Sequence, residues 1–269
     1  MSKLILNRRR FLTASAAGAT GLVLAGCDQF DFLKQGDHPV RNVLEGANDL
    51  TRVTQRALIG QHALAREYSE SEMTRQPHQR VNGSRDPQSE EYLALKAGDF
   101  ADYRFRIIGL VDRELSFSLN ELRNMPARTQ ITRHDCVEGW SCIAKWSGTQ
   151  LGPILEMAGV KPGANYLMFH CYDTMDGGLS GQIPYYESCD LVDAHHPQTI
   201  LAYRLNDGAL PVGNGAPVRI RIERALGYKQ PKFVHTVELV EDYRTFKTFG
   251  RGHGGYWEDV GGYDWYAGI

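Results

Sequence analysis

The chain has 269 residues, 42% of them hydrophobic and 23% charged, with a formal net charge of -2. That is ordinary for a globular protein long enough to bury a sizeable core. A near-neutral balance excludes a charge-led nucleic-acid binder, and no nucleic-acid partner is expected.

The N-terminus opens with Asn7-Arg8-Arg9-Arg10-Phe11-Leu12, then an uncharged run from Phe11 to Gly26, then Cys27. This order matches a twin-arginine export signal. The run is 16 residues, short of the roughly 20 that span a bilayer, and its Gly and Ala make it weakly hydrophobic. Leu24-Ala25-Gly26-Cys27 resembles a bacterial lipobox, which implies cleavage before Cys27 and acylation of its sulfur. Two acyl chains hold a protein stably at a membrane where one does not. The expected organisation is a signal peptide over 1–26, a tether over 27–39 broken by Gly36 and Pro39, and one domain over 40–269.

Val43, Ala47, Leu50, Val53, Ala57, Leu58 and Ala65 recur at spacings of three and four and predict a helix over Val40 to Tyr68. Residues 69–90, with Pro77, Asn82, Gly83 and Pro87, read as a long irregular loop. Alternation predicts strands at Tyr103 to Ile107 and Val218 to Ile222, with short helices at Ser118 to Asn124 and Leu151 to Met157. Strands and helices interleave without strict alternation, so the expected fold class is α+β, a single mixed, irregular domain. The Gly, Tyr and Trp tail from Gly250 to Ile269, with Tyr256, Trp257, Tyr263, Trp265 and Tyr266, wraps the domain or borders either its site or a partner surface.

Five cysteines stand at 27, 136, 142, 171 and 189, without C-x-x-C or C-x-x-C-H spacing. A zinc ribbon and covalently attached haem therefore lack support, and no haem is expected in this chain. A domain of this size does not need disulfides, and Cys142 and Cys189 read as buried apolar residues.

Arg133-His134-Asp135-Cys136-Val137-Glu138-Gly139-Trp140-Ser141 resembles the metal-binding segment of the sulfite oxidase superfamily. Its Cys-Val-Glu-x-Trp-Ser form most resembles that of the periplasmic protein-methionine-sulfoxide reductase catalytic subunits. Further segments follow in the family's order: Phe169-His170-Cys171, Pro184-Tyr185-Tyr186-Glu187, His196-Pro197, Leu210 to Arg219 and Gly227-Tyr228-Lys229. The resemblance runs from about Arg104 to Tyr243.

It implies a molybdenum-molybdopterin cofactor with Cys136 as the protein's metal ligand and the catalytic residue. A thiolate suits a metal already held by soft dithiolene sulfurs. Cofactor contacts are expected from Cys171, Asn214, Arg219, Gly227, Tyr228, Lys229 and Asn82. Cys171 stands where the family has a threonine, and the Asn82 segment departs from the family's wording. Asn214-Gly215 makes a turn that tolerates left-handed backbone, while Arg219 and Lys229 offer charge to a terminal phosphate. His134 and Glu138 flank the ligand, as wall of the metal pocket or as hydrogen-bond partners of it. Adjacent His195 and His196 on extended chain point to opposite faces and read as structural.

The implied activity is oxygen-atom transfer on a small sulfur oxide or sulfoxide by a periplasmic, membrane-anchored monomer. Electrons would pass through a separate partner, a membrane haem protein or a cytochrome c. The alternative is a lipid-anchored binding protein that keeps the fold without catalysis.

Overall fold

The computed structural model describes residues 39–74, 81–176, 181–245 and 252–268. The export segment, Cys27 and Arg80 lie outside them. Among the described residues the first element is helix α1 (Pro39–Ile59). It stops well short of Tyr68 because Gly60 takes a φ of +85°, which ends a helix cheaply only at glycine. Beyond it the chain runs extended instead: Tyr68 N donates to Ile131 O at 2.9 Å and Glu67 bridges to Thr132. The apolar spacing at Leu64 and Ala65 continues the helical period only by coincidence.

Within the expected loop over 69–90 the described residues include a 3-10 turn at Glu70–Glu72, and at its end stands helix α2 (Glu90–Ala97), which the sequence pattern did not single out. Strands β1 (Arg104–Gly109) and β2 (Leu115–Ser118) follow. Helix α3 (Leu119–Arg123) starts in a capping box, in which Glu121 N donates to Ser118 Oγ at 3.2 Å and Ser118 N to Glu121 Oε2 at 2.7 Å. Next come β3 (Ala127–Cys136), β4 (Trp140–Gln150) and helix α4 (Leu151–Ala158). The chain continues through β5 (Tyr166–Asp176), β6 (Gln182–Asp190) and α5 (Leu191–Ala194). After these stand β7 (Ile200–Leu205), β8 (Gly208–Ala209), β9 (Arg219–Arg221), β10 (Val234–Val240) and α6 (Tyr256–Gly261).

Two sheets form. One runs β2-β1-β10-β5-β6, with β1 and β10 parallel; the other runs β3-β4-β7-β8, with β9 on β7. The fold is thus mixed α+β. Phe105, Ile107, Leu155, Phe169, Val218, Ile220 and Phe233 are buried in the main core, and Trp146, Ile200 and Leu210 make a smaller one. Cys136, Cys142, Cys171 and Cys189 are all free thiols. His196 is buried and donates from Nε2 to Ala63 O at 3.1 Å, a structural role. Among the described residues no helix is long and apolar enough to cross a membrane.

Candidate functional site

Cys136 ends β3 and pairs across the hairpin with Trp140. A three-residue connection with Gly139 at φ +82° joins them, the left-handed position such hairpins need. The turn closes by Gly139 N donating to Cys136 O at 3.0 Å. A half-buried thiol is thereby held at the rim of a sheet. Burial pushes it above the ordinary thiol pKa, partly opposed by the Glu138 backbone N–H, so ligation there would displace a proton.

The thiol opens onto a cavity. Asn82, Gly83 and Ser84 of the long loop line one side, and Asp173, Met175 and Tyr185 of the first sheet another. Gly227, Tyr228, Gln230 and Lys232 complete the inner wall, and Trp257 and Tyr263 of the C-terminal tail cover it. Glu138 also lines the cavity and accepts from Trp140 Nε1 at 2.9 Å. A smaller crevice adjoins it through Asn82, with His134, Trp146, Asn214 and Arg219 on its walls.

Glycine is required twice. A Cβ on Gly227 would stand 2.6 Å from His134 Nε2, so the turn can pass His134 only without a side chain. Gly215 takes a φ of +114°, and a Cβ there would meet Lys232 Cβ at 2.9 Å and Arg219 Cβ at 3.0 Å.

The electrostatics are lopsided. Arg219 is buried and donates to two backbone carbonyls, Asn214 O at 3.1 Å and Gln230 O at 3.0 Å, while its Nε and the nearby Trp146 Nε1 have no hydrogen-bond partner. The Trp146 ring lies 5.1 Å from its guanidinium carbon. Lys232 is also buried and donates to Ser84 O and, at 3.1 Å, to Gly213 O. Burial, then the charge of Arg219, pushes Lys232 down to about 7. Among the described residues neither cation forms a salt bridge with a carboxylate, although burial without one costs several kcal/mol. Two under-compensated cations, orphaned N–H groups and empty volume beside a thiol fit an anionic, soft-donor cofactor.

The expected residues divide. Cys136, Asn82, Gly227 and Tyr228 share the large cavity, and Asn214 and Arg219 stand on the adjoining one. Lys229 does not reach either: its Nζ is buried against Glu187 and, at 2.7 Å, Glu258. Cys171 is fully buried on a separate cavity that shares Tyr185 with the first. Lys232 and Gln230 were not anticipated, whereas Trp257 and Tyr263 belong to the aromatic tail for which bordering the site was one expectation. Lys232 follows Lys229 by three residues, and the aromatic richness of the tail was the only signal for the other two rings.

His134 is fixed from behind. Arg221 Nη1 donates to its Nδ1 at 2.8 Å, and Arg221 is itself held by Glu223 at 2.9 and 2.7 Å. Nδ1 is therefore the acceptor and the ring proton sits on Nε2, the atom facing Gly227. Burial and the adjacent Arg221 hold the imidazole neutral.

Residues 92–247 match the family described as oxidoreductase molybdopterin binding domain. A protein of Azospira oryzae, provisionally named protein-methionine-sulfoxide reductase subunit YedZ1, is 33% identical over 262 residues, 97% of this chain and 87% of that protein. The protein-methionine-sulfoxide reductase catalytic subunit MsrP of Xanthomonas campestris pv. campestris is 32% identical over 154 residues, 55% of this chain and 48% of that one. Among solved structures, the sulfane dehydrogenase SoxCD of Paracoccus pantotrophus aligns at 22% identity over 53% of this chain and 39% of that chain, with a TM-score of 0.47.

Proposed function

Because the chain belongs to the oxidoreductase molybdopterin-binding family, and is thereby a molybdopterin-dependent oxidoreductase, we propose that it reduces a sulfoxide, with methionine sulfoxide as the substrate class. The observation that carries this reading is the Cys136 thiol on a cavity lined by the buried Lys232 and by Met175, Tyr228, Trp257 and Tyr263, with the buried Arg219 on the adjoining cavity. The direction of reaction is supported by the Cys-Val-Glu-x-Trp-Ser form of the ligand segment and by the names of the two relatives.

Cys136 would supply the metal ligand. Asn82, Asn214 and Arg219, with Lys232, would hold the anionic part of the cofactor, and Gly227 gives it close approach to the backbone. When bound, the cofactor supplies a two-electron centre able to accept an oxygen atom. In the overall reaction the sulfoxide takes up two electrons and two protons and leaves as a thioether and water. The aromatic and thioether wall receives the apolar stem of the substrate, since sulfur packs favourably against aromatic rings. The Trp257 and Tyr263 rings, 5.7 Å apart and stacked, exclude water on that side.

We further infer that the chain is exported by the twin-arginine route to the periplasm, acylated at Cys27 and monomeric, with electrons from a separate membrane haem protein or cytochrome c. Support comes from the Arg8-Arg9-Arg10 and Leu24 to Cys27 patterns. Acylation is tested by mass spectrometry of the mature N-terminus. The central test is molybdenum per chain, by elemental mass spectrometry, beside methionine sulfoxide reduction with a reduced viologen dye. Near one atom per chain with turnover is expected, and Cys136→Ser abolishes turnover; a folded protein without molybdenum overturns the reading.

A further inference from the structure

Helix α1 is docked with its polar side inward. Asn48, Arg52 and Arg56, four residues apart, form one stripe against the body. Asn48 donates to Asp264 Oδ1 at 2.6 Å, Arg52 lies 5.7 Å from the Trp265 ring, and Arg56 pairs with Asp190 and, at 2.8 Å, Asp193. At 100° per residue the apolar positions fall on the opposite side. There Val43, Leu50 and Leu58 are 72%, 68% and 82% exposed, with Leu44 beside them. A surface helix ordinarily turns its apolar stripe to the core. This one turns it away.

The outward face is also neutral and internally satisfied. Between the leucines and valines stand Ala47, Ala57, Thr51 and Thr54. Thr51 Oγ1 donates to Ala47 O at 2.9 Å and Thr54 Oγ1 to Leu50 O at 2.8 Å. Both hydroxyls are spent on the helix's own carbonyls, as an environment without water demands. The face is not flanked by the complementary charges that set register between paired helices.

We propose that this face of α1 lies flat on a lipid bilayer. Pro39 stands twelve residues after Cys27, a reach of at most about 40 Å for extended chain, so an acyl anchor at Cys27 brings the helix to the bilayer surface. The inference rests on that anchor only for proximity. An uncharged face binds through apolar area, so zwitterionic lipid suffices and salt has little effect. Held there, the enzyme domain keeps one fixed side toward the membrane.

The test places a tryptophan on each side of the helix in the full chain, Leu50→Trp and Asp49→Trp, bound to phosphatidylcholine vesicles with brominated acyl chains. Relative to the parent chain, the added emission at 50 falls at least about twofold and that at 49 does not. Vesicle-bound protein in which neither is quenched overturns the proposal, as does a blue shift at 50 without quenching, which marks burial against a second copy or the run at 11–26. The same pair in Cys27→Ala separates the two readings. Quenching at 50 at saturating lipid without acylation upholds the helix and removes the anchor. In that background Leu50→Gln with Leu58→Gln lowers vesicle association by about tenfold with turnover unchanged; unaltered association sinks the proposal.

Discussion

Lys229 Nζ lies 2.7 Å from Glu258 Oε1 and also pairs with Glu187, so one buried ammonium ties the last helix to strand β6. Burial, then the charge of Glu258, raises Glu187 well above the carboxylate range, and burial raises Glu258 as well. Two carboxyls on one cation thus favour holding a proton between them. Lys229→Met strands both and should cost about 3–5 kcal/mol, lowering the melting temperature by roughly 10 °C in calorimetry. A raised carboxyl pKa favours folding fully below the ordinary value near 4.5, and that advantage fades as pH rises toward the folded value. Glu258→Gln removes this dependence, so its stability relative to wild type should improve from pH 5 to pH 8. No change in that difference would mean that the pair holds no proton.

Lys232 separates binding from stability. In cofactor-free protein its folded pKa of about 7, against 10.5 ordinarily, means that the unfolded chain binds more protons between those values. Stability from this group is complete above 10.5 and is lost as pH falls toward 7. Lys232→Met should therefore stabilise the cofactor-free protein at pH 7 by about 2–4 kcal/mol, while molybdenum content falls several-fold. Equal stability of the two proteins at pH 7 and at pH 10 would refute the unpaired-cation reading.

The place of Cys136 on the cavity was legible because a hairpin tip keeps its residues contiguous, and the turn at Gly139 can be read from the letters. Lys229 and Lys232 were not separable, because they leave a 3-10 turn at Gly227–Lys229 and which one faces the cavity depends on that turn's orientation against Glu187. The parallel pairing of β1 with β10 joins Arg106 to Thr236, a contact too distant in sequence for local pattern to carry. Helix α2 was missed since Glu90 to Ala97 buries only Tyr92 and so lacks an apolar stripe. The inverted docking of α1 was hidden for the reverse reason: its period was clear, but period says nothing about which face meets the body.

Gly227 should tolerate no side chain. A methyl group there would lie 2.6 Å from His134 Nε2 and 3.2 Å from Asp135 O, and His134 cannot swing away because Arg221 holds it at 2.8 Å. Gly227→Ala should cost about 1–3 kcal/mol through overpacking, read by chemical denaturation, with reduced cofactor content. A shorter side chain at His134→Ser should recover part of that loss, giving a coupling of at least about 0.5 kcal/mol in a double-mutant cycle. Strict additivity would show that the clash is relieved elsewhere.

Trp257 lies outside the segment 92–247 that matches the family, yet it walls the cavity at Cys136. Its ring stacks on Tyr263 at an interplanar angle of 21°, and Tyr263 meets Tyr228 edge-on at 5.1 Å. An aromatic wall of this kind binds the stem of a substrate and leaves the reacting atoms to the opposite side. Loss of one large apolar surface is worth about 1.5–3 kcal/mol. Trp257→Ala should therefore raise KM for methionine sulfoxide at least about tenfold, with kcat within about threefold of wild type, the signature of binding lost equally in ground and transition states. Trp257→Phe should keep most of the affinity, because it preserves the stack. A fall in kcat at constant KM would instead place Trp257 in the chemistry, and unchanged constants would remove the tail from the substrate's path.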